Sequence, residues 1–563
     1  MLRPGAGGPR SDVMAGLTLF VVIVPQAMAY ANLAGLPPIT GLYSAAVAIL
    51  AYGLLGSSRH LSFGPVAIVS LITGTSIAPL AGDDPQRLLA LAAALAIMIG
   101  AVSTLLGVLR AGVVVDLISY PVVLGFTAAS GLIIGVSQFR DLLGVRAQSS
   151  DRFIEAAGAV LAVASEADPL TFLIGAAAIV LLRLLRRWRP RIPAVLVVAI
   201  VGVIASLALD LPARGVAVVG AIPRGIPIPR LPAVTAADIR ALIGPALVIT
   251  LVGYAQTIAI GRSLAAKTRT VIDPNRDLIA SGVANAGAGF LGGFPSAGSL
   301  TMSTVVLRTG SQGVWVFATT SAAILVTLVA LAGALEPLPR TILAAMILAV
   351  LPSLIDLRSA RAVLRTDRRD AVVLVATIVA TLLLGVLPGL ASGVGTNLVL
   401  NLISRMRPEV VELGRVSGTV HYRNIERHPE AVTSRDGALV RVDGPVDFLS
   451  SAAIGARLRQ MVRDRPTLSW IVIDCDGVTG LDSTGVRLLD DLLRGFAEAD
   501  VELRLVSLHG PQRDLIGRAG LWEELVEGRA HGSIERALRS LGLSPDEPLL
   551  RPVEGEVPPE RLY

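Results

Sequence analysis

The chain has 563 residues, 53% hydrophobic and only 16% charged, with a mean hydropathy of +0.69. A soluble globular chain carries about 25% charged residues, so a wholly water-soluble protein is excluded. The single cysteine, Cys475, excludes a disulfide scaffold or a cysteine-rich metal site, and the formal charge of +6 conceals two unlike parts. Residues 1–409 hold 30 basic and 18 acidic side chains, whereas residues 410–563 hold 19 and 25. The first part reads as lipid-embedded and the second as a water-soluble domain. The arginine excess sits in the apolar part and does not point to nucleic acid.

In chain order, no charged residue falls between Asp12 and Arg59, a stretch of 46 residues. That is enough for two bilayer crossings at roughly 20 residues each. Pro37 and Pro38 near its middle mark the turn between them. Further apolar runs follow at about 61–80, 88–109, 113–136, 170–185, 192–209, 241–261, 277–292, 298–307, 314–335, 338–355, 370–387 and 389–404, fourteen with the first two. If residues 1–12 are cytoplasmic, every second connection should be arginine-rich. The three densest clusters, Arg183 to Arg191, Arg262 to Arg269 and Arg358 to Arg369, all fall on that side.

Two segments resemble each other: Ser62-Phe-Gly-Pro-Val-Ala-Ile-Val-Ser-Leu71 and Gly293-Phe-Pro-Ser-Ala-Gly-Ser-Leu300. They are the third and tenth runs, the same position in two halves of seven, and an odd number of spans inverts the second half. Interrupted helices at matching positions of inverted halves point to a transporter's midplane site. Helix N-termini expose unpaired N–H groups and partial positive charge, so two of them facing each other suit an anion. Gly287-Ala-Gly-Phe-Leu-Gly292 fits a dinucleotide-loop pattern, but it lies inside an apolar run, where small residues serve close helix packing.

After Arg407 the pattern changes. Ala438–Val442, Ser469–Asp474 and Val501–Val506 read as strands, and 450–464, 484–498 and 511–519 as helices, an α/β domain. Asp482 or Ser483 is placed to cap the second of these helices. Residues 541–563 are rich in Pro and Glu, and 546–563 are expected to form a disordered tail.

On Pro25-Gln-Ala-Met-Ala-Tyr-Ala31, Leu33-Ala-Gly-Leu-Pro-Pro38, Gly41-Leu-Tyr43, Ser62 to Leu71, Asn275-Arg-Asp-Leu-Ile-Ala280, Gly282, Asn285 and Gly292-Gly-Phe-Pro-Ser296, the chain resembles the SulP family of anion permeases. The resemblance runs from about residue 11 to residue 540. It implies a polytopic α-helical membrane protein with fourteen transmembrane segments in two inverted repeats, about 13–210 and 238–407, within a transport domain over 13–407. A core domain would hold the substrate and a gate domain would form the wall against which it moves. It also implies a C-terminal cytoplasmic STAS domain over 415–545. The site would lie between the first, third, eighth and tenth segments. Gln26 and Tyr30, just after a break at Pro25, would donate hydrogen bonds, or else serve as interhelical glue. Pro65, Val66 and Ala67 would open the third segment and Ala297, Gly298 and Ser299 the tenth, offering backbone N–H groups and the Ser299 hydroxyl.

Two positions depart from the family. Its frequent glutamate in the eighth segment aligns with Gln256, which cannot titrate. Its frequent arginine near the start of the tenth falls within Ser299-Leu-Thr-Met302, which carries no charge. The expectation is secondary active transport of a small inorganic or carboxylate anion by alternating access, as exchange or uniport. Sulfate is the family default, with bicarbonate, chloride or a dicarboxylate open. An anion channel and a nucleobase permease are the alternatives. No enzyme activity and no cofactor are expected. The resemblance further implies a homodimer in a bacterial plasma membrane, with both termini cytoplasmic. Thr484 corresponds to a hydroxyl that is phosphorylated in free-standing STAS relatives, against a plain helix-capping role for that turn.

Overall fold

A computed structural model describes residues 8–82, 84–112, 118–145, 150–189, 193–220, 225, 228–309, 314–416, 419 and 421–543. The expected tail at 546–563 lies outside the described residues, as does the N-terminal segment before Gly8. The chain divides into two compact units, 1–397 and 398–563.

The first unit is helical. Its elements are α1 (Gly8–Leu33), α2 (Ile39–Leu55), β1 (Ser62–Gly64), α3 (Ala67–Ala81), α4 (Pro85–Val108), α5 (Tyr120–Leu143), α6 (Phe153–Ala162), α7 (Pro169–Trp188), α8 (Ala194–Ala208), α9 (Ala236–Thr268), α10 (Pro274–Phe290), β2 (Ala297–Ser299), α11 (Leu300–Arg308), α12 (Trp315–Val326), α13 (Ala332–Leu335), α14 (Arg340–Val350), α15 (Leu357–Thr366), α16 (Arg368–Leu384) and α17 (Val386–Arg405). Among the described residues, seven helices are long and apolar enough to cross a bilayer. Leu105, Leu173 and Ile204 are 58%, 65% and 60% exposed, an apolar exterior suited to lipid rather than water.

Local chemistry sets the helix starts. Asp84, Asp168 and Asp273 each accept two N–H groups at the starts of α4, α7 and α10, each with proline in the first helical position. Thr235 and Asp238 form a reciprocal capping box on α9. The structure corrects the sequence reading in several places. No break occurs at Pro25, because α1 runs through it from Gly8 to Leu33; a proline inside a packed helix removes one backbone bond without ending the helix. Helices α6 and α15 occupy stretches read as connections. Helices α1 and α9 also begin before their apolar runs and so carry Asp12 and Asp238.

The helices pack as two bundles. One joins α1–α4 to α9–α12 and the other joins α5–α8 to α14–α16, with α17 laid against Thr377 and Thr381 of α16 through Gly393 and Gly389. Contacts of α1 with α8 and α14, and of α3 with α5, connect them. In the first bundle, α4 and α10 approach at small residues: a Cβ on Gly289 would stand 2.5 Å from the Ala93 carbonyl oxygen, and one on Gly100 2.7 Å from the backbone nitrogen of Ala286. Gly289 belongs to the glycine pattern at 287–292, which thus serves helix packing.

Strands β1 and β2 pair antiparallel at the heart of this bundle, with Ser62 opposite Ser299, Phe63 opposite Gly298 and Gly64 opposite Ala297. Side chains from neighbouring helices secure the pair. Ser303 Oγ accepts the Ser62 N–H at 2.9 Å and donates to the Ser299 carbonyl at 2.6 Å. Thr257 Oγ1 accepts the Gly298 N–H at 2.9 Å and donates to the Gly253 carbonyl at 2.6 Å. Ser44 Oγ accepts the Phe294 N–H at 2.7 Å, and Asn285 Oδ1 accepts the Ser296 N–H at 2.7 Å.

The second unit carries β3 (Glu409–Arg415), β4 (Tyr422–Asn424), β5 (Gly437–Asp443), α18 (Ser451–Asp464), β6 (Trp470–Asp474), α19 (Ser483–Ala497), β7 (Glu502–Val506), α20 (Gly510–Arg518), α21 (Trp522–Leu525), β8 (Ala530–His531) and α22 (Ile534–Ser540). The sheet order is β4-β3-β5-β6-β7-β8, parallel from β5 to β8 and antiparallel at β3 and β4. Alternate strand residues feed two cores. Val440, Ile471 and Leu505 pack with α18 and α19, while Leu439, Val472 and Val506 pack with α22. Asp482 caps α19 by accepting the Gly485 N–H at 2.8 Å, which settles the choice between Asp482 and Ser483. Thr484 is exposed in the first turn of that helix.

Two substitutions test this packing. Gly289→Val should press against Ala93 and destabilise the α4–α10 contact by about 1–3 kcal/mol, read as a lower thermal midpoint of purified protein. An unchanged midpoint would refute that close approach. Thr257→Val should strand the Gly298 N–H at a cost of about 1–3 kcal/mol, whereas Thr257→Ser, which keeps the hydroxyl, should retain the wild-type midpoint.

Candidate functional site

The antiparallel strand pair brings two helix N-termini together. Three residues after Gly64, α3 begins at Ala67 with Val66 as its capping residue, and α11 begins immediately after Ser299. The first backbone bond of α3 runs from the Ser70 N–H to the Val66 carbonyl at 3.0 Å, so the N–H groups of Ala67, Ile68 and Val69 precede the helical ladder. In α11, Ser299 Oγ accepts the Met302 N–H at 3.4 Å, and the N–H groups of Leu300 and Thr301 precede it. The Ser299 hydroxyl keeps its own hydrogen to donate.

A cavity of about 390 Å³ opens at these termini. From the first bundle it is lined by Tyr30 of α1, Val66, Ala67 and Ile68, Val252, Ala255, Gln256 and Ile260 of α9, and Ser299, Leu300, Thr301 and Thr304. The second bundle supplies Val123, Phe126 and Thr127 of α5, Val350 of α14 and Leu390 of α17, and Ile118 and Leu354 complete the lining. Among the described residues, none of the lining side chains is charged. Ile118 and Leu354 belong to connections on the arginine-rich side, and no residue of the opposite connections lines the cavity. Larger clefts of about 740 Å³ and 720 Å³ lie beside Pro37 and Arg230, and beside Arg110 and Arg276; neither contains the paired helix starts.

Five of the nine sequence-selected residues, Tyr30, Val66, Ala67, Gln256 and Ser299, therefore stand on one cavity wall. Gln26, four residues before Tyr30 on α1, is 4% exposed and does not line the cavity, and its Oε1 has no hydrogen-bond partner. The Gln256 Oε1 is also buried without a partner. Turned over, either carboxamide presents its NH₂ group instead, a donor that a carboxylate at the same position lacks. The remaining residues act differently from expectation. Pro65 has no N–H to offer. Ala297 and Gly298 form β2 rather than opening a helix, and Thr257 already takes the Gly298 N–H. Their part is to place Leu300 and Thr301, which supply the unpaired N–H groups on that side.

Sequence reasoning missed the wall from α5, α14 and α17, whose apolar residues look like those of any packed span. On that wall Thr127 is the one polar side chain among the described lining residues, and it lies within the 113–136 run; Thr301 and Thr304, likewise missed, lie within the 298–307 run. Helices α1 and α9 do carry acids, but Asp12 is fully buried near the start of α1, and Asp238 belongs to the α9 capping box and pairs with Arg87 at 2.9 Å. Neither lines the cavity.

The fold agrees with solved structures. The anion transporter Solute Carrier 26 family member A9 from mouse, in the inward-facing state, superimposes with a TM-score of 0.89 over 95% of this chain and 91% of its own, at 24% identity. The transmembrane domain of the cyanobacterial bicarbonate transporter BicA gives 0.60 over 69% and 97%, also at 24% identity. By sequence, chloroplastic sulfate transporter 4.1 of Arabidopsis thaliana is 31% identical over 94% of this chain and 80% of its own length. A probable sulfate transporter of Mycobacterium tuberculosis is 30% identical over 94% and 95%. Residues 424–537 match the STAS domain. Residues 10–377 match the sulfate permease family, to which this chain belongs.

Proposed function

We propose that this protein is a secondary carrier of small anions, with sulfate as first substrate, and that the anion rests between the starts of α3 and α11. The observation that carries the reading is the pair of helix N-termini meeting at one uncharged cavity between two helical bundles. Unpaired N–H groups of Ala67, Ile68, Leu300 and Thr301, with the hydroxyls of Ser299 and Tyr30, form a donor set for an oxyanion. Sulfate is chosen because the similar curated proteins are named sulfate transporters; the likeness to a bicarbonate transporter keeps bicarbonate as the next substrate to try. The fourteen apolar runs read as fourteen segments in two inverted repeats of seven, and the antiparallel β1–β2 pair suits that symmetry. Both termini are taken as cytoplasmic, the membrane as a bacterial plasma membrane and the working unit as a homodimer. Since Gln256 cannot titrate and no carboxylate lines the cavity among the described residues, exchange or uniport is favoured over H⁺ or Na⁺ symport. Thr484, exposed at the start of α19, is the site we assign to regulatory phosphorylation, to be checked by phosphopeptide mapping.

Alternating access requires the opposite face to be shut. There, Asn32 at the end of α1 donates from Nδ2 to Asp141 Oδ2 on α5 at 2.9 Å, a hydrogen bond that joins the two bundles. We assign this bond as the bolt on the face away from the arginine-rich mouth.

Uptake of labelled sulfate by purified protein in liposomes tests the carrier reading. Unlabelled sulfate, bicarbonate, chloride or fumarate inside the vesicles should accelerate entry of whichever anion competes. A strict need for an imposed H⁺ or Na⁺ gradient would sink the uncoupled mechanism, and large unitary currents would sink the carrier. For the bolt, Asn32→Ala removes a bond to a charged group worth about 1.5–3 kcal/mol, an effect of about tenfold or more on opening. Ser130, on the α5 face that carries Thr127 and Asp141, takes a cysteine reporter. Burial pushes the native Cys475 thiol up to about 12, so it stays unreactive. Asn32→Ala should hasten labelling of Ser130→Cys by an impermeant maleimide from the outer face; an unchanged rate rejects the bolt.

A further inference from the structure

The cavity is lined by neutral groups, yet the proposed substrate is negative, and the start of α11 supplies no cation. Here that start is Leu300-Thr301-Met302. A cation is supplied from another direction. Arg186 lies in the last turn of α7, which packs against α14 in the second bundle. Its Nη1 donates to the Ala349 carbonyl at 2.9 Å, one residue before Val350, which lines the cavity. Tyr30 lines the facing wall from α1. The Ala349 carbonyl is neutral and occupies only one of the five guanidinium N–H groups. Among the described residues no carboxylate pairs with Arg186, whereas Arg87, Arg140 and Arg152 are each paired with one.

From this placement we infer that Arg186 is the cation of the substrate path, set at the arginine-rich mouth of the cavity instead of at the start of α11. A guanidinium at the mouth stays hydrated and keeps its charge. It raises the local concentration of anions at the cavity and orients them toward the helix N-termini, without holding them in the transport position. Arg186 also sits beside the carbonyl-bearing ends of α7 and α14, where any cation is favourable. That purely structural role would affect folding, but it would not make transport depend on ionic strength.

The inference rests on the anion-carrier reading, and the experiment separates the two. Wild type, Arg186→Gln, Arg186→Lys and Arg183→Gln are compared in liposomes, using whichever of sulfate, bicarbonate or chloride the wild type transports. If the wild type transports none, the carrier reading itself fails. Otherwise Arg186→Gln should raise KM about five- to tenfold with Vmax within about twofold, as expected for lost steering. The wild-type KM should climb as choline gluconate is raised, and the Arg186→Gln KM should stay nearly flat. Arg186→Lys should restore most of the salt dependence, and Arg183→Gln should behave as wild type. A KM for Arg186→Gln within twofold of wild type, with the same salt response, overturns the inference. So does an equal effect from Arg183→Gln, because a general surface potential would then explain both. Thermal midpoints of each variant exclude misfolding as the cause.

Discussion

A bilayer offers no water to satisfy stray backbone groups, and the arrangement around β1 and β2 answers that constraint. Two segments of the chain leave helical geometry at corresponding points and pair with each other over three residues. Ser303, Thr257, Asn285 and Ser44, all on helices, take up backbone groups that the short ladder does not. The N–H groups of the first turns of α3 and α11 precede their helical ladders, and residues of those turns line the cavity. Interruption of the helices and exposure of the amide donors are therefore one structural event. A substitution that loosened the ladder would disturb both.

The proposed binding by dipoles would have consequences of its own. Backbone N–H groups fixed by helix geometry need no reorganisation to meet an anion, and they carry no full charge that would trap it. A carrier must release what it binds on the other face, so a neutral donor set around a modest cavity suits turnover better than a buried guanidinium would. Discrimination is then left to size and hydrogen-bond shape. Phe126, Val350 and Leu390 form an apolar far wall, which in the proposed site would limit how large an anion could lie against the donors.

Much of this was legible in the residues because the membrane enforces strong patterns. Uncharged stretches mark the helices, arginine clusters mark one face, and the two Phe-Pro segments mark the interruptions. In the second unit, β-branched runs such as Trp470-Ile-Val-Ile473 announced the central strands. Features held by few residues or by tertiary contact were not legible. Three-residue strands have no periodicity to detect, so β2 read as the opening of a helix; β4 and β8 were equally hidden. Pro25 looked like a break because local propensity alone disfavours it in a helix, and packing overrode that preference. The short helix α15 carries Arg358, Arg361 and Arg365, whose charges read as a loop when no burial pattern supports them. Arg186 was visible only as one member of a topogenic cluster, because nothing local distinguishes it from Arg183 or Arg187.

Helix α1 ties these parts together. Tyr30 faces the cavity, and two residues later Asn32 reaches Asp141 of the opposite bundle. Residues two apart on a helix point to nearly opposite sides, so a single turn carries both the substrate wall and the closing bond. Any shift of that turn that draws Tyr30 toward a bound anion must also move Asn32 relative to Asp141. Pro25, five residues before Tyr30 in the same helix, removes the backbone bond to the Val21 carbonyl. On the proposed mechanism, occupancy of the cavity and closure of the far face would be linked through this one short stretch of helix, with no need for a longer chain of contacts between them.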